Sequence, residues 1–326
     1  MTKVCLIVPY SGPLPPWMPL LLQSVDRNPC IHLFLISTNR LPHLPANVTQ
    51  VTWTLKQIEA RVHQHINPTI GVPHAYKLCD LKPFYGLMFP DLVEHYDFWG
   101  YCDLDLVFGN LAHLINSERL AETDVFFADS KLVVGHFALY RNRPEINALA
   151  LLIPHYVHRL NAIDYMCSDE HGMAEVMDQN PHIRWDMSRS LRESQLTITA
   201  QGKMMGRTNG VIGAQHRFFW KSGHTFIRGL DLDAQEVLYL HFMGLKRAWH
   251  WTAYDPTRTY EEFSFSAAGF VPWVSPPNAW TDLKFRVMGT AVRALSAARG
   301  RIAQAMPSGF RLRMKELLRR RPARGL

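Results

Sequence analysis

Apolar residues run without a polar break from Val4 to Val8, and a second mostly apolar run, residues 31–37 (IHLFLIS), ends at the polar turn Thr38-Asn39-Arg40. Strands apolar at every position are buried on both faces, as in a parallel sheet covered by helices. Between the two runs, a Pro-rich turn at 12–16 opens a helical pattern from Trp17 to Asp26. A further β segment, Val48 to Trp53, and a helical one, Lys56 to Gln64, continue the alternation and predict a βαβ start. Helical periodicity returns from Lys82 to His95, followed by an apolar, aromatic strand, Asp97 to Cys102, that runs directly into Asp103-Leu-Asp105. Downstream the pattern predicts strands near Asp124 to Ala128 and Val133 to Tyr140, a helix from Pro144 to about Leu160 and a helix after Asp169. Hairpin strands at Val211 to Trp220 and Thr225 to Arg228 and a strand at Val237 to Phe242 follow.

Composition narrows the class. Of 326 residues, 47% are hydrophobic and 19% charged, which suits a folded chain and neither a disordered nor a collagenous one. No run reaches the ~18 apolar residues of a spanning helix, and the N-terminus has no charged stretch or small-residue cleavage site of a secretory signal. The five cysteines, Cys5, Cys30, Cys79, Cys102 and Cys167, are scattered and never C-x-x-C, against a disulfide framework or a zinc ribbon. A cytoplasmic protein is expected. The start is Rossmann-like, yet no G-x-G-x-x-G follows the first strand and no P-loop occurs, which excludes NAD enzymes and P-loop NTPases.

Charge is unevenly spread. Residues 284–326 carry twelve Lys and Arg against the single acid Glu316, although the whole chain is only +7, so residues 1–283 are net acidic. Phe285, Val287, Met288, Ala291, Val292, Leu295 and then Phe310, Leu312, Met314, Leu317 and Leu318 recur at roughly helical spacing among the arginines. This basic amphipathic helical tail suits an anionic membrane surface and places the protein peripherally on the inner face of the cytoplasmic membrane. A solvated tail or a helix packed on the body explains the same pattern. Nucleic acid is not expected, because the body is acidic and the tail's partners are aliphatic rather than stacking residues.

Asp103 and Asp105 are the strongest candidates for chemistry. Two carboxylates one residue apart project to one side of an extended chain, and beyond a buried strand they occupy the crevice where open α/β sheets bind ligands. Mg²⁺ or Mn²⁺ bridging them to a diphosphate is the simplest use of such a pair. A second copy, Asp231-Leu-Asp233, follows no strand and reads as a helix cap. His241, at a strand end ahead of a Gly turn and the cations Lys246 and Arg247, reads as a third metal ligand beside phosphate-binding charges. A packed core histidine is the alternative.

The segments Tyr76-Lys-Leu-Cys-Asp-Leu-Lys-Pro83, Tyr96 to Asn110 with its D-x-D, and Gly135-His-Phe-Ala-Leu-Tyr-Arg-Asn142 resemble GT-A-fold glycosyltransferases, in particular a bacterial group connected with surface-polysaccharide assembly. His241-Phe-Met-Gly-Leu-Lys-Arg-Ala-Trp249 is similar to the H-x-x-G-x-x-K-P-W signature of the glycogenin-like retaining enzymes, with Arg247 at the Lys position and Ala248 at the Pro position. The resemblance implies an α/β, GT-A-like Rossmann-type central mixed sheet flanked by helices. It implies a catalytic domain over 1–283, nucleotide-binding to about 110 and acceptor-side from about 111, ahead of the tail at 284–326. The implied activity is metal-dependent transfer of a sugar from a nucleotide-sugar donor to a glycan or lipid-linked acceptor, retaining or inverting, with Mn²⁺ or Mg²⁺. It puts Lys77, Asp80 and Lys82 beside the donor, Gly135 and His136 beside the acceptor, and Asp169 and Glu170 as the acidic pair an inverting transfer would use. An ordinary helix start explains Asp80 with Pro83, and Asp169 with Glu170, without function. A sugar nucleotidyltransferase would need a glycine-rich basic loop after the first strand, where residues 10–16 hold one Gly and no cation. A non-catalytic carbohydrate-binding or polysaccharide-assembly protein is the remaining alternative.

Overall fold

The structure is a computed structural model that describes residues 2–116, 118–127, 133–186, 196–198, 204–208, 210–211, 217–228, 235–241, 251–266, 269–273 and 287. The apolar runs form β1 (Val4–Pro9), β2 (Ile31–Ile36), β3 (Val48–Val51) and β4 (Phe98–Cys102), followed by β5 (Leu106–Phe108), β6 (Val125–Phe127), β7 (Phe137–Arg141) and β8 (Trp185–Asp186). Seven of them make one sheet in the order β3-β2-β1-β4-β7-β6-β8. Strands β1 to β4 are parallel, while β7 runs antiparallel between β4 and β6. The mixed central sheet flanked by helices is therefore the one expected.

Side-chain alternation divides the interior into two layers. Val4, Leu6, Val8, Phe98, Cys102 and Leu139 face one layer, and Cys5, Ile7, Trp99, Tyr101 and Tyr140 the other. Helix α1 (Met18–Asp26) covers the first, burying Met18, Leu21, Leu22 and Val25. Helix α2 (Leu55–His65), capped reciprocally by Thr54 and Gln57, covers the second through Ile58 and Val62.

Two helices expected as continuous are broken. Between Lys82 and His95 the chain forms the short turns Lys82–Phe84, Tyr85–Met88 and Pro90–Val93, because Pro83 and Pro90 each remove a backbone donor. The segment after Pro144 breaks at Pro154 and at His155, whose φ of 55° is left-handed, before Tyr156–Asn161 resumes.

A third apolar cluster joins α1 to the C-terminal half through Leu20, Val107, Trp220, Leu240, Trp251 and Phe263. Strands β9 (Leu196–Ile198), β10 (Met204–Thr208) and β11 (Gly210–Val211) form a small antiparallel sheet. The hairpin β12 (Arg217–Lys221) and β13 (His224–Arg228) is flanked by β14 (Gln235–Val237) on β13 and β16 (Glu262–Ser266) on β12, with β17 (Gly269–Val271) paired to β16. The strand expected at 237–242 is divided at Leu238. Before it, β14 pairs with β13; after it, β15 (Tyr239–His241) leaves that sheet and pairs antiparallel with β5. Lys246, Arg247, the second D-x-D at 231–233 and, apart from Val287, the basic tail lie outside the described residues. Among the described residues no helix is long and apolar enough to cross a membrane, and all five cysteines are free thiols.

Candidate metal and donor site

The D-x-D and the histidine meet because of the β5–β15 ladder. Its register sets Tyr239 opposite Phe108, Leu240 opposite Val107 and His241 opposite Leu106, one residue from Asp105. The Leu238 carbonyl accepts from the Gly109 amide at 2.8 Å, fixing the crossover. Gly109 itself is packed so closely that a Cβ there would collide with Thr225 Oγ1 and press on the Val237 carbonyl. Leu104 and Asp105 form a turn rather than the extended chain expected, and the turn still directs both carboxylates inward.

One ligand atom each from Asp103, Asp105 and His241 lies within 4.8 Å of the others. His241 Nε2 is 3.5 Å from Asp105 Oδ2, both side chains almost wholly buried. Neither ring nitrogen of His241 has a hydrogen-bond partner among the described residues. A buried imidazole normally satisfies its nitrogens, so this one is placed as a ligand would be. Two carboxylates and one imidazole form a donor set suited to Mn²⁺ or Mg²⁺. The residues therefore fit the cation that the sequence implied.

The two aspartates border a crevice of about 600 Å³ lined also by Tyr10, Trp17, Tyr76 and Lys82, among others. It opens at the carboxyl ends of β1 and β4, where open α/β sheets bind ligands. Lys82 is its central cation. Its Nζ donates to Asp103 Oδ1 at 2.6 Å and to the Gly135 carbonyl at 2.6 Å, with Asp169 Oδ2 at 3.5 Å. Burial by itself would lower the Lys82 ammonium, but Asp103 and Asp169 outweigh it and hold the group well above its usual range.

Asp169 and Glu170 sit behind this cation. Burial pushes the Asp169 carboxyl up to about 6, against the pull of Lys82 and of the Tyr165 hydroxyl, which donates to Oδ1 at 2.5 Å. Glu170, half-buried, accepts the Gly135 amide at 3.2 Å. A Cβ on Gly135 would collide with the Asp169 carboxylate, so only glycine admits this approach. The pair is carried by a π-helical turn, Ser168–Gly172, entered through Cys167 at φ 53° rather than by the plain helix start of the sequence reading. His136 packs against the metal cluster as a neighbour. Its ring stacks on His241 at 4.3 Å, its Nε2 lies 2.8 Å from the Tyr239 hydroxyl, and burial with His241 alongside holds it neutral, well below the usual histidine range.

Lys77 and Asp80 are placed elsewhere than the donor side expected. Both are completely buried, and the three donors of Lys77 are taken by Asp80 Oδ2 at 2.8 Å and by the Arg159 and Asp164 carbonyls at 2.6 and 3.0 Å. Neither lines the crevice. Tyr165 and Tyr239 were not picked out from the sequence. Tyr239 had a usable signal, since it lies two residues before His241 and so on the same face of the strand; Tyr165 had none beyond standing four residues before Asp169.

Residues 6–272 match the model of a family of unknown function, DUF6625. The chain belongs to that family. No curated protein matches it. Among solved structures it is similar to the glycosyltransferase GlyE of Streptococcus pneumoniae TIGR4, at 15% identity over 57% of this chain and 45% of GlyE, with a TM-score of 0.30. The apo form of GlyE matches at 12% identity over 62% of this chain and 47% of that one, with a TM-score of 0.33. The galactosyltransferase LgtC, solved with donor and acceptor sugar analogs, matches at 9% identity over 89% of this chain and 96% of LgtC, with a TM-score of 0.37. The chain thus spans about half the length of GlyE.

Proposed function

We propose that this protein is a metal-dependent glycosyltransferase that moves a sugar from a nucleotide-diphosphate sugar to a glycan or lipid-linked acceptor, in surface-polysaccharide synthesis. The observation that carries the reading is the convergence of Asp103, Asp105 and His241, which has no hydrogen-bond partner among the described residues, with both aspartates lining a crevice on the carboxyl ends of β1 and β4. In the reaction the bond from the sugar's anomeric carbon to the diphosphate breaks, and one to the acceptor oxygen forms. The acceptor's proton leaves, and negative charge builds on the departing diphosphate. A divalent cation held by Asp103, Asp105 and His241 would neutralise that charge.

The chain's own groups supply the rest. Lys82 presents a permanently charged ammonium at the crevice wall and binds the diphosphate, with Lys246 and Arg247 assigned to the same anion. Residues 1–110 form the nucleotide-binding part. Asp169 acts on the crevice through Lys82, holding its charge in place. Glu170, the half-exposed member of the acidic pair, is the carboxylate assigned to take the acceptor's proton if the transfer inverts. Gly135 and His136 fix the floor of the acceptor side. The tail from 284 onward docks on an anionic membrane where a lipid-linked acceptor would be presented.

A thermal-shift screen of nucleoside diphosphates and nucleotide sugars, with and without Mn²⁺, tests this. A true donor at 100 times its Kd should add about 2.7 kcal/mol of stability, and only with the metal present. A shift that is independent of Mn²⁺, or no shift with any nucleotide, would count against the proposal.

A further inference from the structure

The Lys77–Asp80 pair does more than fill the interior. Asp80 lies on the short helix α3 (Leu78–Leu81). Besides Lys77, its carboxylate accepts the backbone amides of Met166 at 3.0 Å and Ser168 at 2.8 Å. Lys77 meanwhile donates to the carbonyls of Arg159 and Asp164. Four backbone groups across 159–168, from the end of the helix Tyr156–Asn161 through the irregular residues 162–167 to the start of the π-helical turn, are thus satisfied by one ion pair. A buried ion pair is a poor device for raising stability, since well-packed apolar residues often do as well. Apolar residues cannot, however, fix amides and carbonyls that no helix or strand satisfies.

The stretch so fixed includes Cys167, a non-glycine residue at φ 53°, held between the anchored amides of Met166 and Ser168. Such backbone persists only where its surroundings over-determine it. Directly after it come Asp169 and Glu170, reaching Lys82 Nζ and the Gly135 amide.

From this geometry we infer that Lys77 and Asp80 are positioning residues, a buried clamp on 159–168 that sets where Asp169 and Glu170 stand relative to Lys82 and the crevice. The inference rests on the glycosyl-transfer reading of the site. It places these two residues outside the donor-binding set and gives them a role in turnover without contact with substrate.

The test uses the full-length chain with two variants. Asp80→Asn keeps shape and removes the charge; Lys77→Met with Asp80→Leu removes both charges, so that no buried charge is left unpaired if the single variant fails to fold. Amide hydrogen exchange should rise in peptides spanning 159–172 and stay unchanged in 98–108. Mn²⁺ affinity should be unchanged. In release of nucleoside diphosphate from UDP-glucose, UDP-galactose or GDP-mannose, kcat should fall about 10²-fold with KM unaltered, as expected for a misplaced catalytic group. Unchanged exchange at 159–172, a uniform rise across the protein, or unaltered kcat overturns the clamp. A local rise in exchange, in a protein whose wild type releases nucleotide from none of the three donors, supports the clamp's hold on 159–168 and overturns the transfer reading on which its purpose rests.

Discussion

Lys82 holds the position from which most of the site's electrostatics follow. Its ammonium lies against Asp103, which is also one of the three candidate metal ligands, so the lysine and the cation compete for one carboxylate. Lys82→Met should therefore tighten Mn²⁺ alone by about tenfold, because a neighbouring positive charge is gone. It should also weaken a nucleoside diphosphate by about tenfold or more through loss of a charge-assisted hydrogen bond. Calorimetric titration of each ligand reads both, and changes of the same sign would contradict the assignment.

Asp169 gives a second test at this scale. Its folded carboxyl holds a proton more tightly than an unfolded aspartate, at about 6 against 3.8. Its contribution thus favours the fold at low pH and is lost as pH rises from about 4 through 6, by about 2–3 kcal/mol. Asp169→Asn should flatten that part of the stability profile, measured by urea unfolding at pH 4 to 7; parallel profiles would exclude the raised carboxyl.

Residue chemistry explains which of these groups the sequence disclosed. Asp103, Asp105 and His241 are legible because two acids at a strand end and a histidine before a Gly turn are types a metal requires. The burial of Lys77 and Asp80 is not legible, because a Lys–Asp pair reads alike whether it faces a crevice or the interior, and only the 82- to 88-residue separations to Arg159, Met166 and Ser168 distinguish the cases.

Among the elements, the division of one strand at Leu238 matters most. Had β14 and β15 continued as a single strand, His241 would have stayed in the β13 sheet; the switch to β5 brings it to Asp105. Sequence pattern showed an apolar run over 237–242 but not the switch, since Val237 before it and Tyr239 and Leu240 after it are all buried. Nor did it show the breaks at Pro154 and His155 or the π-helical turn, which depend on tertiary contacts that periodicity does not register. The crossover supplies a prediction at a residue that touches no ligand. Gly109→Ala forces a Cβ into Thr225 and Val237 and should cost about 1–3 kcal/mol of stability. Mn²⁺ affinity should fall in the fraction that remains folded, as read by chemical denaturation alongside metal titration. Affinity equal to that of wild type would show that the ladder does not hold the site.

At the scale of the whole molecule, the proposed function assigns chemistry to the net acidic residues 1–283 and location to the basic segment 284–326. Each Lys or Arg near an anionic surface contributes about 1 kcal/mol within a Debye length, so half of the twelve beyond residue 283 would hold the protein reversibly. Full-length protein should co-float with anionic liposomes at low salt, and deletion of 284–326 should abolish flotation; flotation unchanged by the deletion would move the contact elsewhere.

The central claim, sugar transfer at a metal held by Asp103, Asp105 and His241, is tested most directly by release of nucleoside diphosphate from a panel of nucleotide sugars as Mn²⁺ is titrated, in wild type and in Asp105→Ala. The account predicts release from at least one donor that requires Mn²⁺ and is lost in the variant while the fold is retained. Nucleotide binding without release from any donor, or release indifferent to Asp105, would contradict it.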